Sequence, residues 1–129
     1  MLDSLELCQF VWGPGWTLYG PQETVEMVKA VTGGSDVTVD ELMKVGVRRL
    51  NLMRIFNSRE SLDRKNDKLP KKFYKALQGE GPTAGIALRH EEIEAALDEY
   101  YMLAGWTNNG LPAKVSLHKL DLDWAAKLL

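Results

Sequence analysis

The single cysteine of this chain, Cys8, closes the hexapeptide Asp3-Ser4-Leu5-Glu6-Leu7-Cys8. A thiolate is a good ligand for zinc or for iron–sulfur clusters, but either centre needs a full set of such groups. One thiol cannot supply the set. If Cys8 is a ligand, its partners lie on polypeptide outside these 129 residues, and the chain is a piece of something larger. The plainer alternative makes Asp3 a helix N-cap and Cys8 a small buried hydrophobe.

The other chemistry-bearing residues form weaker patterns. His90 and His118 have no carboxylate or cysteine at ligand spacing and read as surface histidines. Gly79 to Gly85 lacks the G-x-x-x-x-G-K-[ST] spacing of a phosphate loop. Arg48, Arg54 and Arg59 fit either a phosphate clamp or, more commonly, structural ion pairs. Arg64, Lys65, Lys68, Lys71, Lys72 and Lys75, interleaved with Phe73 and Tyr74, fit either a solvated face or a docking strip for an acidic partner.

These residues need elements to position them, and the patterns are helical almost throughout. Leu5, Cys8, Gln9 and Trp12 share a stripe of a first helix that Gly13-Pro14-Gly15 ends. Pro21 opens a second in the first-turn position it tolerates, with Val25, Met27, Val28 and Val31 on its apolar side and Gly33-Gly34 as its stop. Thr38-Val39-Asp40-Glu41 is a capping box for the longest helix, which ends near Asn57 or Arg59. Ser58 to Lys68 reads as a charged surface loop, and Leu69-Pro70 precedes a short helix through Phe73, Tyr74 and Leu77. Ile93, Ala96, Leu97, Tyr100, Tyr101 and Ala104 line one face of an amphipathic helix that Gly105 closes. Two short helices around Leu117–Leu120 and Trp124–Leu128 finish the chain. The expected fold is all-α, a compact domain of about six or seven helices, with no repeat and no convincing strand.

Composition narrows the function classes. At 129 residues and 45% hydrophobic, one domain with a real core is expected. A formal net charge of -2 gives no global field for phosphate backbones, so nucleic acid is not the expected partner. One cysteine excludes an internal disulfide framework and suits a reducing compartment. No apolar run reaches the ~18 residues that span a bilayer, and Met1-Leu2-Asp3 is not the basic start of a signal peptide. The expected location is cytoplasmic, with no membrane partner.

Three segments in order resemble the C-terminal domain of the tungsten-pterin aldehyde:ferredoxin oxidoreductase family. Asp3 to Cys8 looks like its D-x-x-G-L-C pterin and cluster motif. Gly46, Arg48, Asn51, Leu52, Arg54, Phe56, Asn57, Arg59 and Glu60, followed by Arg64, Lys65, Asp67, Leu69 and Pro70, match G-x-R-x-x-N-L-x-R-x-F-N-x-R-E, a charged loop, then L-P. Tyr100-Tyr101, Gly105-Trp106, Gly110, Pro112, Leu117 and Leu120 resemble the family's ending. Glu6 departs from the motif, standing where the family has glycine; Ser61, Ala104, Thr107 and Asp121 depart as well.

The resemblance implies a tungsten or, less often, molybdenum centre held by the dithiolenes of two pterins, with a four-iron, four-sulfur cluster beside one of them. It implies oxidation of aldehydes to carboxylic acids and transfer of electrons to ferredoxin. Three cluster cysteines would come from an upstream C-x-x-C-x-x-x-C motif and the fourth from the position of Cys8. The acid–base groups near the metal would also lie upstream, so no catalytic residue is expected here and the isolated chain is expected to be inactive. On a helix, Asp3 and Leu7 lie one turn apart and Cys8 ~100° further round. Asp3 and Leu7 would then form a wall of the pterin site while Cys8 meets iron. Upstream domains of the same enzyme, ferredoxin and an aldehyde substrate are the implied partners. The competing reading is a free-standing helical interaction module that has lost the redox site.

Overall fold

The computed structural model describes Leu7, Cys8, Phe10 and residues 19–129. Helix α1, Pro21–Thr32, starts with proline in its first turn, and the Gly20 N–H donates to the Glu23 carboxylate at 2.7 Å. It stops at Gly33, whose left-handed φ of 71° lets its N–H turn back to the Lys29 carbonyl at 2.8 Å. Helix α2, Val39–Arg59, is capped by Thr38, whose hydroxyl accepts from the Glu41 N–H at 3.2 Å.

Helix α3, His90–Ala104, carries Glu91 and Glu92 in its first turn, where its dipole favours negative charge. Gly105 ends it at φ 68°, and the Trp106 N–H donates to the Tyr101 carbonyl at 2.8 Å. Helix α4, Lys114–Lys119, is short. Among the described residues there are also three 3-10 turns, Arg64–Asn66, Lys71–Tyr74 and Ala125–Leu128.

The all-α expectation holds: the described residues contain no strand, only an isolated bridge between Trp106 and Pro112. The helix number does not. Among the described residues four α-helices are seen, and Lys71–Tyr74 and Ala125–Leu128, expected as short helices, are too short to repay α-helix nucleation and close as 3-10 turns. Nor does the expected first helix run through Cys8. Leu7 and Cys8 are outside regular structure, and helical geometry begins among the described residues at Phe10. Asp3, Leu5, Gln9 and Trp12 lie outside the described residues. Cys8 is exposed.

The chain divides into two compact units, Met1–Met53 and Arg54–Leu129. Thr24, Val25, Leu42 and Asn51 are buried in the first; Arg54, Ile55, Tyr101, Leu117, Leu122 and Ala125 are buried in the second. No helix among the described residues is long and apolar enough to cross a membrane.

Candidate functional site

Cys8 is exposed, with the half-buried Leu7 before it. Asp3 lies outside the described residues. Leu7, expected on a helix one turn from Asp3, is outside regular structure. Among the described residues no three of His, Cys, Asp and Glu converge where a metal ion could sit. Cys8 therefore fits a cluster only as one ligand beside thiolates from elsewhere.

The second unit is organised around Arg54, at the last turns of α2. Its guanidinium forms a fork on Asp67, Nη1 to Oδ1 at 2.9 Å and Nη2 to Oδ2 at 2.7 Å, while Nε donates to the Gly110 carbonyl at 2.6 Å. The Tyr101 hydroxyl, from α3, donates to Asp67 Oδ2. The Trp106 ring centre lies 5.1 Å from the Arg54 guanidinium carbon, close enough for its π face to favour the cation. One charged pair thus ties α2, the loop at Asp67, α3 and the turn at Gly110.

Arg64 holds the same loop from the other side. It donates to Asp98 at 2.5 Å and to Glu94 at 2.7 Å, both on α3, and its guanidinium carbon is 5.3 Å from the Tyr101 ring centre. The turn around Asn108 and Asn109 joins in, since the Asn109 carbonyl accepts from the Arg64 N–H at 3.3 Å.

Burial opposes the charge on Asp67, but the hydrogen bonds from Arg54 and Tyr101 outweigh it and hold the carboxyl below its ordinary value. Burial, reinforced by the bond to Asp67, pushes Tyr101 up to about 12. Burial likewise works against the Arg54 cation, and Asp67 more than offsets it. A carboxylate so matched is a poor proton shuttle, and the group acts as a structural clasp. The expectation of structural arginine pairs is met at Arg54. Arg48 belongs to the first unit, and Arg59 is exposed at the end of α2.

His118 sits at an exposed surface against Asp123, at 2.8 Å, which raises its pKa. His90 stacks on Tyr74, ring centres 3.8 Å apart, at the edge of a cavity. The Asp67–Tyr101 and Gly110 contacts had no local signal, because they join positions 34 and 56 residues apart. Their only sequence trace was membership of the same three-segment pattern.

Comparison with known proteins places this arrangement. Residues 1–122 match the family model described as aldehyde ferredoxin oxidoreductase, domains 2 and 3. A tungsten-containing aldehyde ferredoxin oxidoreductase of Pyrococcus horikoshii is 34% identical over 125 residues, which cover 95% of this chain and 19% of that protein. The aliphatic sulfonate oxidoreductase, WOR-like subunit, of Pyrococcus furiosus is 30% identical over 130 residues, 97% of this chain and 20% of that protein. Among solved structures, the active site complex BamBC of benzoyl coenzyme A reductase with 1,5-dienoyl-CoA superimposes with a TM-score of 0.67 at 25% identity, over 84% of this chain and 15% of that one. The chain spans about a fifth of the length of the curated relatives it matches.

Proposed function

Because the chain belongs to the aldehyde ferredoxin oxidoreductase family, we propose that residues 1–129 serve as the C-terminal helical domain of a tungsten- or molybdenum-pterin enzyme that oxidises aldehydes to carboxylic acids and passes the electrons to ferredoxin. Within that enzyme Cys8 is the fourth ligand of a four-iron, four-sulfur cluster, and Asp3 and Leu7 contribute a wall of the pterin site. When bound, the metal–pterin centre supplies the oxidation and the cluster supplies the exit for electrons. The chain's own task is to fix a thiolate and a pterin contact against domains that carry the remaining ligands and the acid–base groups. Alone, it is inactive. A cytoplasmic location belongs to the same proposal, since a reducing compartment keeps a ligand thiol free.

The observation that carries this reading is the reach of the family match, which takes in the hexapeptide around an exposed Cys8. An exposed sulfur is available to iron supplied from outside the chain; a thiol packed in hydrocarbon is not. Glu6, standing where the family motif has glycine, favours the second reading, a helical interaction module without redox chemistry.

One experiment separates the two. The DNA upstream of Met1 is translated in frame, and the full-length protein is purified anaerobically for metal analysis. An upstream C-x-x-C-x-x-x-C together with tungsten or molybdenum and a four-iron signal supports the redox enzyme. A metal-free protein lacking that motif supports the module.

A further inference from the structure

A cavity of about 650 Å3 opens in the second unit between the Asp63–Tyr74 segment and the first turns of α3. Its size lies within the range of small-molecule sites, roughly 300–1,000 Å3. Leu69 and Ile93 supply apolar wall, and the stacked rings of Tyr74 and His90 stand at one side.

The charges around it are unevenly matched. Every carboxylate in the wall already has a partner: Asp67 holds Arg54 and Tyr101, Glu94 holds Arg64 at 2.7 Å, and Asp63 takes the Lys65 N–H at 2.8 Å with the Lys65 ammonium 3.8 Å away. Lys68 and Lys71 line the same cavity, both exposed, and among the described residues neither ammonium has a hydrogen-bond or ion-pair partner. Two cations without counter-charges beside an apolar wall are complementary to an anion with an apolar body. Each lysine offers a charge-assisted hydrogen bond to a carboxylate, while the body of the ligand covers Leu69 and Ile93. A simple inorganic anion leaves the apolar wall wet, and a neutral ligand leaves the lysines unused.

We propose that this cavity is a binding site for a small organic carboxylate, its acid group held by Lys68 and Lys71 and its apolar body against Leu69, Ile93 and the Tyr74–His90 pair. Binding there does not depend on a metal or pterin being bound.

The test is crystallographic and uses the full-length protein that carries this domain, grown with 4-bromobenzoate. The bromine gives an anomalous peak that locates the ligand, and solution affinity is followed by calorimetry. A peak beside Ile93 with the carboxylate toward Lys68 and Lys71 is expected, with affinity falling about tenfold in the Lys68→Gln/Lys71→Gln variant. Neutral 4-bromobenzamide should leave the cavity empty. No peak, a peak and affinity unchanged in the double variant, or a cavity filled by another stretch of the polypeptide would each overturn the assignment.

Discussion

Arg54 and Asp67 meet through two parallel hydrogen bonds, at 2.9 and 2.7 Å, with the arginine side chain 8% exposed and the aspartate 26%. A forked pair this sheltered behaves differently from the exposed ion pairs on α1 and α2, such as Lys44 with Glu41. Removing one partner strands the other charge with few waters to replace it. Arg54→Ala is expected to destabilise the second unit by about 3 kcal/mol, against no more than about 1 kcal/mol for Lys44→Ala. Urea denaturation of the two variants checks the contrast.

Gly110 sits under this clasp with a φ of 76°, and a Cβ there would run into the Arg54 guanidinium and the Tyr101 hydroxyl. Gly85 shares its backbone, φ 77°, but faces open space. Alanine at Gly85 should cost only the left-handed strain, about 1 kcal/mol. Alanine at Gly110 should cost that strain and, in addition, about 1–3 kcal/mol for displaced neighbours. Equal losses at the two positions would show that the close approach at Gly110 carries no weight.

The clasp also has a pH signature. Tyr101 holds its phenolic proton more tightly when folded, with a pKa of about 12 against an ordinary 10.0, so its contribution is complete below pH 10.0 and is lost as pH rises toward about 12. Asp67 is shifted the other way: its contribution is complete above the ordinary value of 3.8 and is lost as pH falls through its lowered folded value. Denaturation midpoints measured against pH should fall at both ends. Tyr101→Phe should remove the alkaline arm and keep the acid one; an alkaline arm of the same size in that variant would assign it to another group.

The helices that could be read from residue order were those with local grammar. Pro21, Gly33, Thr38 with Glu41, and Gly105 mark ends through contacts within about one turn, and the structure puts boundaries at or beside each of them. By composition the Ser58–Lys68 stretch reads as a charged surface loop. It also carries Arg64, whose partners lie on α3 and the Asn108–Asn109 turn, and Asp67, which holds Arg54 of α2 and Tyr101 of α3. Such pairing depends on where distant segments meet, which periodicity does not encode. Near Cys8 the expected helix covers residues outside those described; of the described ones, Leu7 and Cys8 are outside regular structure and Phe10 is helical.

The role proposed for Cys8 is tested most directly in the full-length holoenzyme by Cys8→Ala, following iron content, tungsten or molybdenum content and the low-temperature EPR spectrum together. Retained tungsten or molybdenum with an altered cluster, either short of iron or changed in its EPR signal, is the expected result, because a ligand has been removed while the pterin centre stays in place. A variant with full iron content and an unchanged cluster spectrum would contradict the assignment of Cys8 as a cluster ligand.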